Sequence, residues 1–204
     1  MKELSLNILD IVQNSLTAGA AHIDIDLEET AETLRITVTD DGCGMNAETV
    51  RNVTDPFYTT RKTRAVGLGI PFFKLAAEQT GGRLELKSTP AAENADEHGT
   101  VISALFYKTS IDFTPLGDIS STLCTLIQGL DDNTDIKFRH SFPNGEVGLD
   151  TAEIRAVLGG VPLSTPEVLV LLKDDLAAQY AEIVSNDNYN FLIKQNQNRK
   201  DRKQ

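Results

Sequence analysis

Asp10 and Asn14 stand four residues apart in the opening segment, and on a helix that spacing puts both side chains on one face. An Asn carbonyl is a hard oxygen ligand suited to magnesium, which keeps most of its waters and bridges phosphate oxygens. Asp10 can orient or deprotonate an attacking water. Alone, the pair reads as a solvated helix face. A second cluster, DDGCGM from Asp40 to Met45, directly follows a strand pattern. Asp40 can accept a hydrogen bond from an adenine amino group, while Gly42 and Gly44 let the backbone turn and approach the base closely. The same stretch reads as GxGxxA, a dinucleotide fingerprint. Asp40 and Asp41 repel a pyrophosphate at such a turn, however, and Thr60 to Arg64 is basic where that fold needs an acid.

The third cluster is DPFYTTRKTRAVGLGI, Asp55 to Ile70. Arg61, Lys62 and Arg64 form the densest basic run before the C-terminal end and immediately precede a glycine-bounded helix start. That combination suits polyphosphate: free N–H groups of Gly67, Leu68 and Gly69 and the helix dipole hold phosphate oxygens, with countercharge from Arg61 and Lys62 and hydroxyls from Thr59 and Thr60. The fourth is Gly99 and Thr100 after His98, where a small residue and a hydroxyl can line a base pocket.

Periodicity supplies the elements that position these groups. Leu4, Ile8, Leu9, Ile11, Val12 and Leu16 recur at helical spacing from Glu3 to Ala18, and Gly19 stops that helix. Ile23, Ile25 and Leu27 alternate with acids, and Leu34, Ile36 and Val38 alternate with polar residues, so two half-buried strands follow. A short helix near Ala47 to Val53 and a second from about Leu68 to Thr80, with Pro71 in its first turn, come next. Strands near Leu84 to Ser88 and Thr100 to Tyr107 complete an α+β fold with helices on one face of a mostly antiparallel sheet. After Lys108 the pattern changes to a helix near Asp118 to Leu130, a hairpin across Pro143 to Gly145, and helices from Ala152 and Pro166. The expected organisation is one domain over 1–108, a small α+β unit over 109–184, and a polar, basic, flexible tail over 185–204.

The chain has 204 residues, 40% hydrophobic and 24% charged, which suits an ordinary globular protein. A net charge of -11 opposes a broad electrostatic grip on nucleic acid or an anionic membrane, so neither is an expected partner. Cys43 and Cys124 have no metal-ligand spacing partners, and no apolar run is long enough to span a bilayer; a reducing cytoplasm is the expected compartment. His22, His98 and His140 read as structural or surface residues.

In the first three of these clusters, in this order and spacing, the chain resembles the GHKL ATPases: NILDIVQNSLTAGA is similar to their N-box, DDGCGM to the first glycine box, TDPFYTTR to the F-box and GLGI to the second glycine box. The family includes histidine-kinase catalytic domains, anti-sigma-factor kinases, type II topoisomerases and mismatch-repair ATPases. Over residues 1–108 the resemblance implies a two-layer α/β sandwich that holds ATP with Mg2+ under a cover spanning Phe57 to Val66. Implied positions are Asn14 for magnesium, Asp40 for adenine and Gly67 to Gly69 for phosphate. Gly42, Gly44, Met45, Phe57, Thr59, Thr60, Arg61, Lys62 and Thr100 complete the binding set, with Asp10 the catalytic residue. Hydrolytic members carry Glu four residues before the N-box Asn, and Asp10 is a methylene shorter.

No phospho-acceptor hairpin is legible ahead of this domain, so a kinase of this type acts on a partner protein. The expected function is therefore a stand-alone, Mg-ATP-dependent kinase resembling histidine kinases or anti-sigma-factor kinases. The alternative is an ATP-gated binding module or slow ATPase without phosphotransfer. Homodimerisation is open under either.

Overall fold

The computed structural model describes residues 3–54, 69–94 and 97–201, with side chains to residue 185. Alternation fixes the direction of every strand. In β1 (His22–Glu29) Ile23, Ile25 and Leu27 are buried, and in β2 (Thr33–Asp40) Leu34, Ile36, Val38 and finally Asp40 are. In β4 (Gly99–Tyr107) Thr100, Ile102, Ala104 and Phe106 point the same way. These pair antiparallel, with β3 (Arg83–Thr89) on β4, and registers of Ile23 with Asp40, Asp40 with Thr100 and Thr100 with Ser88. A two-residue side-chain period therefore sets Ser88, Thr100 and Asp40 in one row at one end of the sheet, all toward the same layer.

The sheet crosses the boundary expected near residue 108. β5 (Asp135–Phe142) pairs in parallel with β1, and β6 (Gly145–Asp150) pairs antiparallel with β5, giving the order β3-β4-β2-β1-β5-β6. Residues 109–184 are built onto the sheet of the first 108, and a single hydrophobic cluster runs from Leu4 to Ile183.

Over the apolar face lie α1 (Leu4–Thr17), α3 (Gly69–Gln79), α4 (Ile119–Gln128) and α6 (Pro166–Asp201). The shorter α2 (Ala47–Asn52) and α5 (Thr151–Leu158) begin at side-chain caps, Asn46 accepting from Thr49 N–H and Asp150 from Ala152 and Glu153 N–H. The result is a two-layer α+β sandwich whose second sheet face carries the alternate polar residues.

At its C-terminal end the backbone of α6 is helical to Asp201, where composition predicts a flexible tail from residue 185. Between Pro166 and Gln204 there is neither Gly nor a second Pro, and Lys, Arg and Gln are good helix formers. No helix among the described residues is long and apolar enough to cross a membrane.

His140 fastens α6 to the sheet. It is 1% exposed; its Nε2 lies 3.0 Å from Glu29 Oε2 and its Nδ1 3.0 Å from the Tyr180 hydroxyl. Glu29 also accepts from Lys108 Nζ at 2.6 Å. The His140 hydrogen bond, with help from Lys108, holds the Glu29 carboxyl below the usual carboxylate range against the opposing effect of burial. Burial pushes the Tyr180 phenol well above its usual value. This cluster sits at the end of β1 remote from Asp40 and belongs to the architecture.

Gly99 shows how tightly the first strands close. Its φ is +125°, and a Cβ there would stand 1.9 Å from the Asp40 carbonyl oxygen. Gly99→Ala is expected to destabilise the protein by about 2–4 kcal/mol, since strained backbone and a displaced β2–β4 ladder are added together. Urea unfolding checks this, and an unchanged midpoint would show that the two strands separate there at no cost.

Candidate functional site

The row at the end of β2, β4 and β3 forms a polar floor. Asp40 is 9% exposed. Its Oδ2 accepts from the Ser15 hydroxyl of α1 at 2.6 Å, and its Oδ1 accepts from Gly42 N–H at 3.0 Å, so the carboxylate is oriented before any ligand arrives. Beside it, Thr100 and Ser88 have their hydroxyls 2.9 Å apart; Ser88 donates to the Gly99 carbonyl at 2.8 Å and accepts from Met45 N–H at 2.8 Å.

The glycine turn over this floor is held from several sides. Cys43 N–H donates to the Ala18 carbonyl, Ala91 N–H to the Cys43 carbonyl, and His98 Nδ1 to the Gly42 carbonyl at 2.7 Å. Two glycines keep it close. Gly44 has φ +67°, and a Cβ on it would meet the Thr89 carbonyl oxygen at 2.0 Å; a Cβ on Gly42 would stand 3.0 Å from Asp40 Oδ1. Gly42 thus keeps clear the flank of the carboxylate that a planar base would approach.

The two neighbouring aspartates have separate tasks. Asp41 turns away, its Oδ1 accepting from Ala21 N–H at 2.7 Å and His22 N–H at 2.9 Å, its Oδ2 2.9 Å from His22 Nδ1. Desolvation acts to raise the Asp41 pKa, but the bonds from His22 and Ala21 outweigh it and hold the carboxyl below its usual value. Asp41 is thereby committed to the start of β1, while Asp40 faces the polar floor.

Along α1, Leu4, Ile8, Ile11 and Val12 bury one stripe, and Asp10 and Asn14 lie beside it, both half-buried. A side chain on Gly69 would begin 3.0 Å from Asp10 Cβ and lie 3.7 Å from its Oδ2. The first residue of α3 therefore stands directly against Asp10, which leaves room for a short carboxylate there. An acid, an amide one turn along and the first residue of α3 are brought together at the helix that also supplies Ser15 to Asp40.

Among the residues expected from sequence, the structure gathers Asp10 with Gly69, and Asp40 with Gly42, Gly44, Thr100 and the Met45 backbone. Asn14 shares the face of Asp10 and is followed by Ser15, which reaches Asp40. Phe57, Thr59, Thr60, Arg61, Lys62, Gly67 and Leu68 lie outside the described residues. Ser15 and Ser88 escape the sequence reading, yet each left a signal: a polar residue in an apolar phase, Ser15 in step with Leu4, Ile8 and Ile11, and Ser88 in step with Leu84 and Leu86. A separate cavity of about 400 Å³, lined by Gln13, Thr17, Gly19, Asp131 and Asn133 among others, opens between the C-terminal turn of α1 and the loop before β5, and contains none of the expected site residues.

The floor fits an adenine nucleotide: an oriented carboxylate for the amino group, glycines that admit a flat base, and a helix N-terminus for phosphate. A single amide oxygen ligand, as Asn14 can supply, fits magnesium that arrives with its own waters and phosphate ligands.

Comparison with known proteins points the same way. Residues 2–110 match a family model described as histidine kinase-, DNA gyrase B- and HSP90-like ATPase. The DNA mismatch repair protein MutL of Desulforudis audaxviator is 31% identical over 170 residues, 79% of this chain and 28% of its own length. The heme sensor protein HssS of Staphylococcus saprophyticus is 31% identical over 102 residues, 50% of this chain and 20% of its own, and the tetrathionate sensor histidine kinase TtrS of Salmonella typhimurium is 28% identical over 99 residues, 48% of this chain and 16% of its own. The chain spans less than a third of each of these relatives. In fold it is similar to the N-terminal domain of a DNA repair protein, with a TM-score of 0.54 and 14% identity over 80% of this chain and 59% of that one.

Proposed function

Because the chain belongs to the histidine kinase-, DNA gyrase B- and HSP90-like ATPase family, whose model matches residues 2–110, we propose that it binds ATP with magnesium and cleaves the γ-phosphoryl group with Asp10 as general base. The observation that carries this reading is the placement of Asp10 against Gly69, at the start of α3 and one helical turn from Asn14. Asp40 accepts from the adenine amino group, held in place by Ser15 and Gly42. The Asn14 carbonyl takes one magnesium position, and the N-terminus of α3 faces phosphate oxygens. Magnesium, when bound, neutralises charge on the terminal phosphates. Asp10 removes the proton of the attacking group as its oxygen bonds to the γ-phosphorus and the bond from that phosphorus to the β,γ-bridging oxygen breaks, releasing ADP.

Water is the acceptor in this reading. It is favoured by the relative that aligns over most of the chain, MutL, whose match extends beyond β4 into the strands and helices that follow. A second reading, transfer to a side chain of a partner protein, is favoured by the sensor relatives HssS and TtrS, which match about half of the chain.

Purified protein with γ-labelled ATP and magnesium, alone and with host lysate, separates the two. Free labelled phosphate from the protein alone supports hydrolysis; a labelled protein band that appears only with the lysate supports transfer. Asn14→Ala is expected to abolish magnesium-dependent binding and both products. Binding that survives this substitution, measured by calorimetry with and without magnesium, would remove Asn14 from the site.

A further inference from the structure

Asn7 is 1% exposed, and among the described residues neither its Nδ2 nor its Oδ1 has a hydrogen-bond partner. Burying a primary amide without partners forfeits its hydration for nothing, and the great majority of buried polar groups avoid this. Simple packing does not require an amide, because the branched outline of an apolar side chain such as Leu carries no such cost. A group kept in this condition can gain a partner in another state of the protein.

Its position says which. Asn7 lies three residues before Asp10 and seven before Asn14 on α1, so the three share a face. Side chains on a helix lean toward its N-terminus, which inclines the Asp10 carboxyl toward the turn that holds Asn7. Asn14 is two turns away along the axis, about 10 Å at 1.5 Å per residue, beyond direct reach. The first residue of α3 also stands against Asp10.

We propose that Asn7 is a positioning residue for Asp10: with nucleotide bound, its amide nitrogen donates to the Asp10 carboxylate, directly or through one water, and aims it at the attacking group. The amide fixes the rotamer of the base. Asn7 does not touch the nucleotide; it acts through Asp10 alone. This rests on the reading of Asp10 as general base.

The test is a double-substitution cycle of Asn7→Leu, Asp10→Asn and both together, followed by magnesium-dependent phosphate release, thermal melting and NMR of the side-chain amides. Asn7→Leu is expected to melt at or above the wild-type temperature, because an unpaired amide is removed, and to lower kcat about tenfold or more while leaving KM within about threefold. In the Asp10→Asn background it changes kcat no further. In otherwise wild-type protein the Asn7 amide resonances move when a non-hydrolysable ATP analogue binds, and in Asp10→Asn they do not. If Asn7→Leu proves too bulky and lowers the melting temperature, Asn7→Ser, which keeps a short donor, is expected to restore part of kcat; no recovery overturns the proposal. A kcat loss that persists undiminished beside Asp10→Asn, or resonances indifferent to the nucleotide, also overturns it while leaving the ATP-binding reading intact. Wild-type protein that binds no nucleotide overturns both.

Discussion

Asp10→Asn is expected to lower ATP turnover by roughly 10²- to 10⁴-fold, the usual contribution of a positioned general base, while MgATP affinity stays the same or improves. Asn has the shape of Asp, so the packing of Gly69 against this side chain survives. What disappears is the proton acceptor. In the proposed site a negative charge beside the terminal phosphates repels them, so its removal is not expected to weaken binding. A loss of kcat with KM unchanged or lower identifies a group used in the transition state rather than for ground-state binding. Phosphate-release kinetics and calorimetry on the same preparation decide the matter. Retained turnover would reduce Asp10 to a helix-packing residue, and a parallel collapse of affinity would place it in nucleotide binding.

How the site is assembled explains what the sequence could reveal. Asp40 was legible as an inward-facing residue because Leu34, Ile36 and Val38 set the phase of β2 and Asp40 continues it. Asp10 and Asn14 were legible as a pair because helical spacing is local. The partners of Asp40 were not, since the Ser15 hydroxyl reaches it only where α1 crosses β2, a contact between residues 25 apart in sequence. Ser88 likewise meets Thr100 only through the register of β3 on β4.

The same distinction between local and distant contacts accounts for the second half of the chain. Each helix and strand after Lys108 announces itself by its own period, but the parallel pairing of β1 with β5 joins His22 to Asp135, and no local pattern encodes that. The change of pattern at residue 108 therefore suggests the start of another unit, whereas the chain returns to extend the first sheet. His140 illustrates the cost of missing it. In isolation FRHSF suggests only a structural histidine, and the Glu29 and Tyr180 that flank it come from β1 and α6.

Asp40→Asn is expected to weaken ATP binding about 10- to 100-fold, the magnitude of a hydrogen bond to a charged acceptor, and to erode the preference for ATP over GTP. The carboxylate oxygens accept from Ser15 and from Gly42 N–H, and both keep lone pairs for an adenine amine. An amide offers a single acceptor oxygen. The Gly42 N–H cannot reverse its role, so the new oxygen faces Gly42 and the new NH2 faces Ser15. Ser15 can accommodate that by accepting from the amide and turning its own proton to the Ile11 carbonyl, already 3.4 Å away. The fold thus absorbs the change at little cost, whereas an incoming adenine amine now finds a donor where it needs an acceptor. Guanine, which presents a carbonyl at the same position, loses a repulsion instead. Titrations of ATP and GTP against both proteins, with melting curves alongside, separate the causes: an equal loss for the two nucleotides means that Asp40 serves only the glycine turn, and a loss confined to ATP means that it reads the base.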